Sequence, residues 1–331
     1  LRLIDYSVLA SNSTQEDRDA YNKFTMLLSC IDHSTLADLK SESHLETIRV
    51  NTAVLKRGTT PVDLAFAHTL LGKMLANKGH QVSVRELPID GTYPTNTAQV
   101  NIAVPTEYLP VWNPEDCTQC GACSMACPQG AIRMKVFEDD VDARPSSFKW
   151  APTIDPDFDL LNFTLQINLD QCTACNNCID ACPEKEALAM EPSDLVEAIA
   201  IENQLFFDEL PEVDRAKIDP LKVSQQQLQE PLFTASIGVE GCGEAPYLKV
   251  LSQLFGDRLL VANATGASSI FGGALPTTPW SKNKGGQGPA WANSLFEDNA
   301  EFGLGFKLAL DYKQKEAQSV WIVGGDGWAY D

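Results

Sequence analysis

The sequence is poor in positive charge. Its 331 residues include 25 Lys and Arg against 45 Asp and Glu, which gives a formal net charge of −20. Proteins that bind nucleic acids neutralise phosphates with a dense patch of Lys and Arg on one face. The charge balance therefore argues against a nucleic-acid partner, and we interpret the acidic segments as solvated surface.

Long apolar segments are missing as well. The longest stretch without a charged residue, residues 259–281, is interrupted by Gly, Asn, Ser and Pro. A helix that crosses a bilayer needs about 20 consecutive apolar residues. The chain also opens without the pattern of a signal peptide. We therefore expect neither a membrane span nor a secretory leader.

Histidine is scarce, with four residues in the whole chain. None of them has a Cys or carboxylate partner at a recurring spacing, which a metal site built on histidine would need. We therefore interpret them as surface or packing residues. They are His33, His44, His68 and His80.

Cysteine is the most informative residue type. Eight of the ten cysteines form two blocks, each of which fits the pattern C-x2-C-x2-C-x3-C-P. In ferredoxins with two [4Fe–4S] clusters, three cysteines of such a block bind one cluster and the fourth binds the other. The pattern predicts two ligand sets, which are Cys117, Cys120, Cys123 and Cys182 for the first cluster, and Cys172, Cys175, Cys178 and Cys127 for the second.

The same spacing argues against two zinc sites. Structural zinc is usually bound by two separated C-x2-C pairs, whereas each block here places four cysteines within eleven residues. Because cluster ligands must remain thiolates, we expect a reducing compartment, either the cytoplasm or an organelle matrix.

Composition divides the chain into three regions, which we predict to be domains. Residues 1–109 mix helical and strand patterns, and QVSVREL (residues 81–87) is predicted to be a strand. Residues 110–195 contain the two cysteine blocks, separated by a polar segment, residues 137–159, that is predicted to be a surface excursion. Residues 196–331 return to alternating strands and helices.

The third region is predicted to form a mostly parallel sheet, because its strands and helices alternate. We expect strands at residues 233–239, 258–262 and Ser319–Val323, helices at Ala245–Phe255 and Asn299–Tyr312, and a long loop rich in Gly, Pro, Ser and Trp. In such sheets ligands bind at the carboxyl ends of the strands.

Two glycine loops follow predicted strands of this region. Gly325, Asp326 and Gly327 could hold Mg²⁺ beside a diphosphate, or could form a simple turn. Cys242 and Glu244 lie where a strand meets a helix. Such a Cys is most often a small buried hydrophobic residue, and such a Glu often only complements the helix dipole.

Several segments, in the same order, match one family. They are DGTYPTNTAQ, YLPVWNPEDCTQCGACSMACPQGAIRMKV, FTLQINLDQCTACNNCIDACP, GCGEAPYLKVLSQLFGDRLLVANATGASSIFGG, GQGPAWANSLFEDNAEFG and VWIVGGDGWAYD. Over about residues 60–331 the chain resembles the pyruvate:ferredoxin (flavodoxin) oxidoreductases, thiamine-diphosphate enzymes of anaerobic metabolism.

The resemblance implies an α/β multidomain fold. A ferredoxin-like α+β module with two [4Fe–4S] clusters would lie between α/β domains, of which the last is part of a thiamine-diphosphate-binding domain with a parallel sheet. Asp326 is similar to the Mg²⁺-binding Asp of the family, and Gly325, Gly327, Cys242 and Glu244 would lie near the same cofactor. We identify no catalytic residue in this chain.

The implied activity is oxidative decarboxylation of pyruvate with CoA, coupled to reduction of ferredoxin or flavodoxin. The family is usually dimeric, and the rest of the active site would come from another part of the same enzyme. Since the chain opens on Leu1 and stops shortly after a predicted strand, we expect it to be part of a longer polypeptide.

One departure from the family concerns a third, proximal [4Fe–4S] cluster. Cys242 matches one of its ligands, but Val239 and Ala267 stand at two other ligand positions. The resemblance therefore predicts that this cluster is absent or has another ligand set. An alternative function follows, in which the chain is a non-catalytic relative that carries electrons or assists assembly.

Overall fold

The computed structural model describes residues 70, 72–75, 78–93, 95–100, 106–138, 144–236, 241–273, 277–294, 298–315 and 317–325. None of the helices in these ranges is long and apolar enough to cross a bilayer. Some residues discussed above lie outside the described residues, namely His33, His44, His68, Val239, Asp326 and Gly327.

The described part of the first region contains helix α1 (Gly72–Leu75) and short 3₁₀ turns. The strand predicted for residues 81–87 is wrong, because 3₁₀ turns occupy Gly79–Gln81 and Val84–Glu86. The backbone N–H of Ser83 donates a 2.8 Å hydrogen bond to the Glu86 carboxylate, which closes the second turn locally. Val84 is 85% exposed, so its apolar side chain is not packed against a neighbouring strand.

The second region is built from two antiparallel sheets. Strand β1 (Tyr108–Trp112) pairs with β5 (Leu188–Pro192), and β2 (Ile132–Phe137) pairs with β4 (Asn162–Ile167). Helix α2 (Ala122–Ala126) lies between β1 and β2, and α3 (Asn177–Ala181) lies between β4 and β5. The two cysteine blocks therefore occupy equivalent positions, each following a strand and including a five-residue helix.

The segment predicted to be a surface excursion packs against the domain in its described residues, 137–138 and 144–159. Strand β3 (Ala151–Pro152) extends the sheet on the free side of β4. Phe148 and Phe158 are buried, and the Phe148 ring packs edge-on against Phe206 at 4.6 Å between centroids. Polar neighbours surround these aromatic residues along the chain, so the segment has no apolar periodicity that would reveal its buried side chains.

Two further helices follow the strands of the second region. Helix α4 (Ser193–Glu209) begins directly after β5 and buries Phe206 and Phe207. The short helix α5 (Val223–Gln226) opens a run of five consecutive buried residues, Gln225 to Gln229, four of which are glutamines. Such polar burial requires internal hydrogen bonds, since an unsatisfied buried amide costs about 1–3 kcal/mol.

The third region contains the parallel sheet that the alternation of elements predicts. Its order is β7 (Ala290–Ser294), β6 (Leu259–Ala264), β8 (Ser319–Val323), and both pairings are parallel. Helices α6 (Ala245–Phe255) and α8 (Asn299–Tyr312) have the predicted bounds, and α7 (Ala267–Gly273) follows β6. The coarse prediction of a mixed α/β fold with a parallel sheet is therefore confirmed.

Two details of this region differ from the prediction. Helix α7 and strand β7 lie within the stretch that was predicted to be a loop. Residues 233–236 form only an isolated bridge between Phe233 and Trp280, and Ala235 has a φ of 54° that interrupts an extended chain. Phe233 instead packs its ring edge-on against Trp280 at 4.7 Å, in the core beside β6.

Candidate functional site

Two cavities in the second region are lined by cysteines. Each takes three cysteines from one block and one from the other. The first cavity is lined by Cys117, Cys120, Cys123 and Cys182, and the second by Cys172, Cys175, Cys178 and Cys127. These are the two sets into which the sequence pattern divides the cysteines.

The cysteine loops share an unusual backbone conformation. Two positions after its first Cys, each block has a residue with positive φ, which is 57° at Gln119 and 52° at Ala174. Four positions after the first Cys, φ is 76° at Gly121 and 65° at Asn176. Left-handed residues other than Gly cost free energy and tend to persist where the surrounding structure requires them. Here they curl each loop around its cavity.

Hydrogen bonds in the loops are already directed at sulfur. The backbone N–H of Gln119 donates to the Sγ atom of Cys117 at 3.3 Å. At the matching position of the second block, the N–H of Ala174 donates to Cys172. This hydrogen bond lowers the pKa of the Cys172 thiol, although burial raises that pKa by more. Such N–H···S bonds stabilise thiolate and cluster sulfur.

The short helices explain how the two blocks exchange their fourth cysteine. Cys123 lies within α2 and lines the first cavity, whereas Cys127 ends that helix and lines the second. Cys178 lies within α3 and lines the second cavity, whereas Cys182 ends α3 and lines the first. A single turn of helix therefore spans the distance between the cavities.

Burial keeps several of these thiols neutral. It raises the pKa of Cys123 and of Cys178 to about 12, and that of Cys172 to about 11. For Cys123 and Cys178 the next cause is a neighbouring thiol of the same cavity, Cys117 and Cys127 respectively. At neutral pH a cation is therefore needed to hold them as thiolates, so that metal binding here releases protons.

The cavities fit a [4Fe–4S] cubane better than a single ion. Among the described residues, no three His, Cys, Asp or Glu side chains converge on one metal position. In a cubane each cysteine binds a different iron, so four sulfurs spread around a cavity are suitable. Each cavity is also lined by a residue whose buried polar group has no nitrogen or oxygen partner, the indole N–H of Trp112 in the first and the hydroxyl of Thr173 in the second.

The first cavity reaches the protein surface at Cys120. This residue also lines an open groove of about 350 Å³, together with Thr118, Ile154 and Lys222. The second cavity lies near the loop that precedes Cys242, because Asn177 in α3, which is adjacent to the cavity residue Cys178, approaches Gly241. The side-chain oxygen of Asn177 lies 3.5 Å from where a Cβ on Gly241 would stand. Gly241 precedes Cys242 directly.

A buried polar network joins the third region to the cysteine blocks. Lys249 of α6 is 1% exposed, and its ammonium donates to the backbone oxygen of Ser124 in α2 and to the Gln227 side chain at 3.3 Å. Gln227 accepts a 2.9 Å hydrogen bond from the Ser124 hydroxyl and donates one of 3.2 Å to Gln253.

Sequence reasoning missed Lys249, Gln227 and Trp112. A signal for Lys249 does exist, because helical periodicity places it beside Leu248 and Ser252 on the face of α6 that is buried. A Lys on the buried face of a helix indicates a specific partner, since an isolated charge is costly to bury.

The residues predicted to bind thiamine diphosphate are only partly described. Gly325 follows the carboxyl end of β8. Glu244 precedes α6, and its carboxyl accepts a hydrogen bond from Ser268 of α7. Helix α7 follows the carboxyl end of β6, the strand that pairs with β8. Burial raises the pKa of Glu244, and the hydrogen bond with Ser268 opposes that effect. Glu244 and Gly325 therefore lie at the ends of neighbouring elements on the carboxyl side of the sheet.

Of the proximal-cluster positions, two are described. Cys242 is half-buried, and Ala267 is an exposed residue that opens α7. The methyl group of Ala267 offers no ligand atom. The absence of this third cluster stays a prediction.

Comparison with known proteins agrees with the cysteine geometry. A family model described as a 4Fe-4S dicluster domain matches residues 116–186, and a second, described as a domain of unknown function (EKR), matches residues 56–101. The first match covers both cysteine blocks, and with them all eight cysteines that line the cavities.

Longer relatives extend the similarity over most of the chain. The pyruvate-flavodoxin oxidoreductase of Trichormus variabilis is 49% identical over 79% of this chain and 22% of its own length. That of Nostoc sp. is 48% identical over 76% of this chain, and the pyruvate:ferredoxin oxidoreductase of Moorella thermoacetica is 42% identical over 76%.

The chain spans about a fifth of the length of these relatives, 22% in each case. The matched part contains the cysteine blocks, and its identity is too high and too extended for a shared cysteine motif alone to explain it. Over the length that it spans, the chain is homologous to part of the pyruvate:ferredoxin (flavodoxin) oxidoreductases.

Proposed function

We propose that this chain is the electron-transfer portion, with part of the thiamine-diphosphate site, of a 2-oxoacid:ferredoxin or flavodoxin oxidoreductase. The main support for this proposal is the pair of cavities, each lined by three cysteines of one block and one of the other. The reaction oxidises pyruvate and CoA to acetyl-CoA and CO₂, and the two electrons released reduce ferredoxin or flavodoxin in one-electron steps.

The proposal includes a domain organisation. Residues 110–195 would be a ferredoxin-like module with two [4Fe–4S] clusters, residues 196–331 part of a thiamine-diphosphate-binding domain, and residues 1–109 an α/β domain on the linker side. Support comes from the two equivalent cysteine blocks and from the parallel sheet β7-β6-β8. We further propose a homodimer in a reducing compartment, with the rest of the active site supplied by the remainder of the enzyme.

The eight cysteines would hold the clusters in the two sets that line the cavities. When bound, the clusters supply one-electron transfer. The second set would receive electrons, because Asn177 beside it approaches the loop of Gly241 and Cys242. The first set would release them, because Cys120 lines a groove that is open to the surface.

Gly325, Asp326 and Gly327 would bind the Mg²⁺ and diphosphate of thiamine diphosphate, and Cys242 and Glu244 would lie nearby. The position of Gly325 at the carboxyl end of β8 supports this, since ligands of parallel sheets bind at that edge. Val239 and Ala267 support the proposal that the proximal cluster is absent or has other ligands.

The second candidate function is a non-catalytic electron carrier or assembly component. Val239 and Ala267 stand where the family usually has ligands of the proximal cluster, which favours this second function. The relatives are named as oxidoreductases, which favours the enzyme.

Iron and acid-labile sulfide analysis of the full protein, with EPR of the dithionite-reduced state, tests the cofactor content. We expect about eight irons per chain, as two cubanes require. About twelve would overturn the absence of the proximal cluster, and four or fewer would overturn the two-cluster assignment.

Pyruvate-dependent reduction of a viologen dye, with CoA present, tests the activity. The enzyme requires reduction that depends on both pyruvate and CoA. A protein with eight irons that reduces no dye with pyruvate or any other 2-oxoacid would instead be the non-catalytic carrier.

A further inference from the structure

Lys249 is a buried cation without a described counter-charge. It is 1% exposed, and within the described ranges no Asp or Glu forms an ion pair with it. Its hydrogen-bond acceptors are neutral, a backbone oxygen of Ser124 and the amide oxygen of Gln227. Burying an uncompensated ammonium costs several kcal/mol, so a negative charge nearby is expected.

The nearest candidates for that charge are the cysteine ligands. Ser124 lies between Cys123 and Cys127, which line different cavities. The stem of Lys249 packs on the turn after Cys127, with its Cδ atom 3.6 Å from the Cβ position of Gly130. Burial lowers the pKa of Lys249 to about 8, and the thiolate forms of Cys127 and Cys123 would act in the opposite direction.

We propose that the Lys249 ammonium is the buried counter-charge of both [4Fe–4S] clusters and raises their reduction potentials. The inference rests on the proposed function of the two cavities. A cubane with four thiolates is an anion and gains a further negative charge on reduction. A fixed positive charge in a region of low dielectric therefore favours the reduced state. Lys249 acts as a positioning residue, through the field that it imposes across α2.

Lys249 also links the potentials to the third region. It belongs to α6, which begins directly after the loop of Cys242 and Glu244. The charge that tunes the module is therefore supplied by the neighbouring domain, and its distance from the clusters depends on how α6 packs against α2.

EPR-monitored redox titration of the cluster-loaded full protein tests the proposal. Lys249→Met removes the charge at nearly constant length, and Lys249→Gln removes it while retaining an N–H donor for Ser124. We expect both midpoint potentials to fall, with at least a tenfold drop in the reduction equilibrium constant, which is about 59 mV for one electron. Lys249→Arg keeps the charge and should keep both reduction equilibrium constants within threefold of those of the unmodified protein.

The matched control is Lys307→Met on α8, whose ammonium is exposed and paired with Asp311. It should leave both potentials unchanged. Unchanged potentials in a neutral Lys249 variant that retains eight irons would overturn the inference. So would loss of iron from both neutral variants, which would assign Lys249 to assembly instead. Absence of clusters from the unmodified protein would refute the proposed function itself.

Discussion

A Cβ atom on Gly121 would lie 3.2 Å from the backbone oxygen of Val223. Gly121 precedes α2 in the first cysteine block, and Val223 opens α5, more than a hundred residues later. Glycine suits this position for two reasons: it leaves room for the Val223 oxygen, and it tolerates the φ of 76° found there. The loop around the first cavity is therefore closed from outside by a distant segment of the chain.

Gly121→Ala should destabilise the protein by about 2–3 kcal/mol in urea unfolding. Positive φ alone costs an Ala about 1–2 kcal/mol, and the contact with Val223 adds to it. Gly286→Ala is the control, since Gly286 has a φ of 75° but nothing within 4 Å of its Cβ position. Equal losses in the two variants would show that the approach of Val223 is unimportant.

The crossed arrangement of the cysteines predicts which substitutions share an effect. Cys117→Ser and Cys182→Ser should remove the same EPR signal, although 65 residues separate the two positions in the sequence numbering. Cys172→Ser and Cys127→Ser should remove the other. Each should lower the iron content from about eight to about four per chain.

Cys242→Ser is the control for these variants, because Cys242 lines neither cavity. It should leave the iron content unchanged if the proximal cluster is absent. A different grouping, in which Cys117→Ser and Cys127→Ser shared their effect, would contradict the crossed ligand sets.

Trp112→Phe should lower the reduction potential of the first cluster and leave that of the second unchanged. The buried indole N–H of Trp112 has no nitrogen or oxygen partner, and it lies close enough to Cys117 to oppose the pKa increase that burial causes there. Hydrogen bonds to sulfur raise cluster potentials. An EPR redox titration that resolves the two signals measures the difference.

Trp280→Phe provides the comparison for Trp112→Phe. Trp280 is equally buried and its N–H also lacks a partner, but it packs in the core of the third region. It should shift neither potential. A fall of both potentials by the same amount in Trp112→Phe would indicate a general loosening of the module.

Glu212→Gln should destabilise the protein at pH 7 by about 2 kcal/mol. Burial raises the pKa of Glu212, but Arg133 at 3.0 Å and Lys135 at 2.8 Å outweigh it and hold the pKa below 4.5. The stabilisation is therefore present above pH 4.5 and is lost as the pH falls through the folded-state pKa. Urea unfolding of both proteins between pH 7 and pH 3 should show the difference shrink with acidity.

The expected loss for Glu212→Gln is intermediate because the pair is only partly buried. The side chain of Lys135 is 2% exposed, whereas that of Glu212 is 20% exposed. Breaking a fully buried pair costs about 3–5 kcal/mol. Asp311→Asn, which breaks the exposed pair with Lys307, should cost less than about 0.5 kcal/mol. A pH-independent loss in Glu212→Gln would show that charge is not its cause.

Local patterns in the sequence predicted much of the architecture. The bounds of α6, α8 and β8 follow from apolar periodicity and flanking polar residues, and α6 buries the face that the periodicity selects, including Ala245 and Leu248. Strand β7 could not be recognised, because AWANS has weak strand propensity and becomes a strand by pairing with β6. Residues 81–87 show the converse, since strand-forming residues there yield to a turn closed by Ser83 and Glu86.

The candidate site likewise has a part that the sequence predicts and a part that it does not. The cysteine sets are predicted from spacing, because the ligand geometry of a cubane restricts the chain over eleven residues. Helical periodicity can indicate that Lys249 is buried, but the partners of Lys249 and Gln227 could not be predicted, since each meets α2 only after the chain has returned from over a hundred residues away. No local pattern encodes such a contact.

The exchange of the fourth cysteine has a consequence for how this module can change. If the second block were deleted, the first cavity would keep three thiols and the second only one. Neither half could therefore be inherited, lost or transplanted alone and still hold a complete cubane. Duplication gave the module its two similar halves, but the crossing of Cys127 and Cys182 makes the pair, and not the single repeat, the smallest unit on which selection can act.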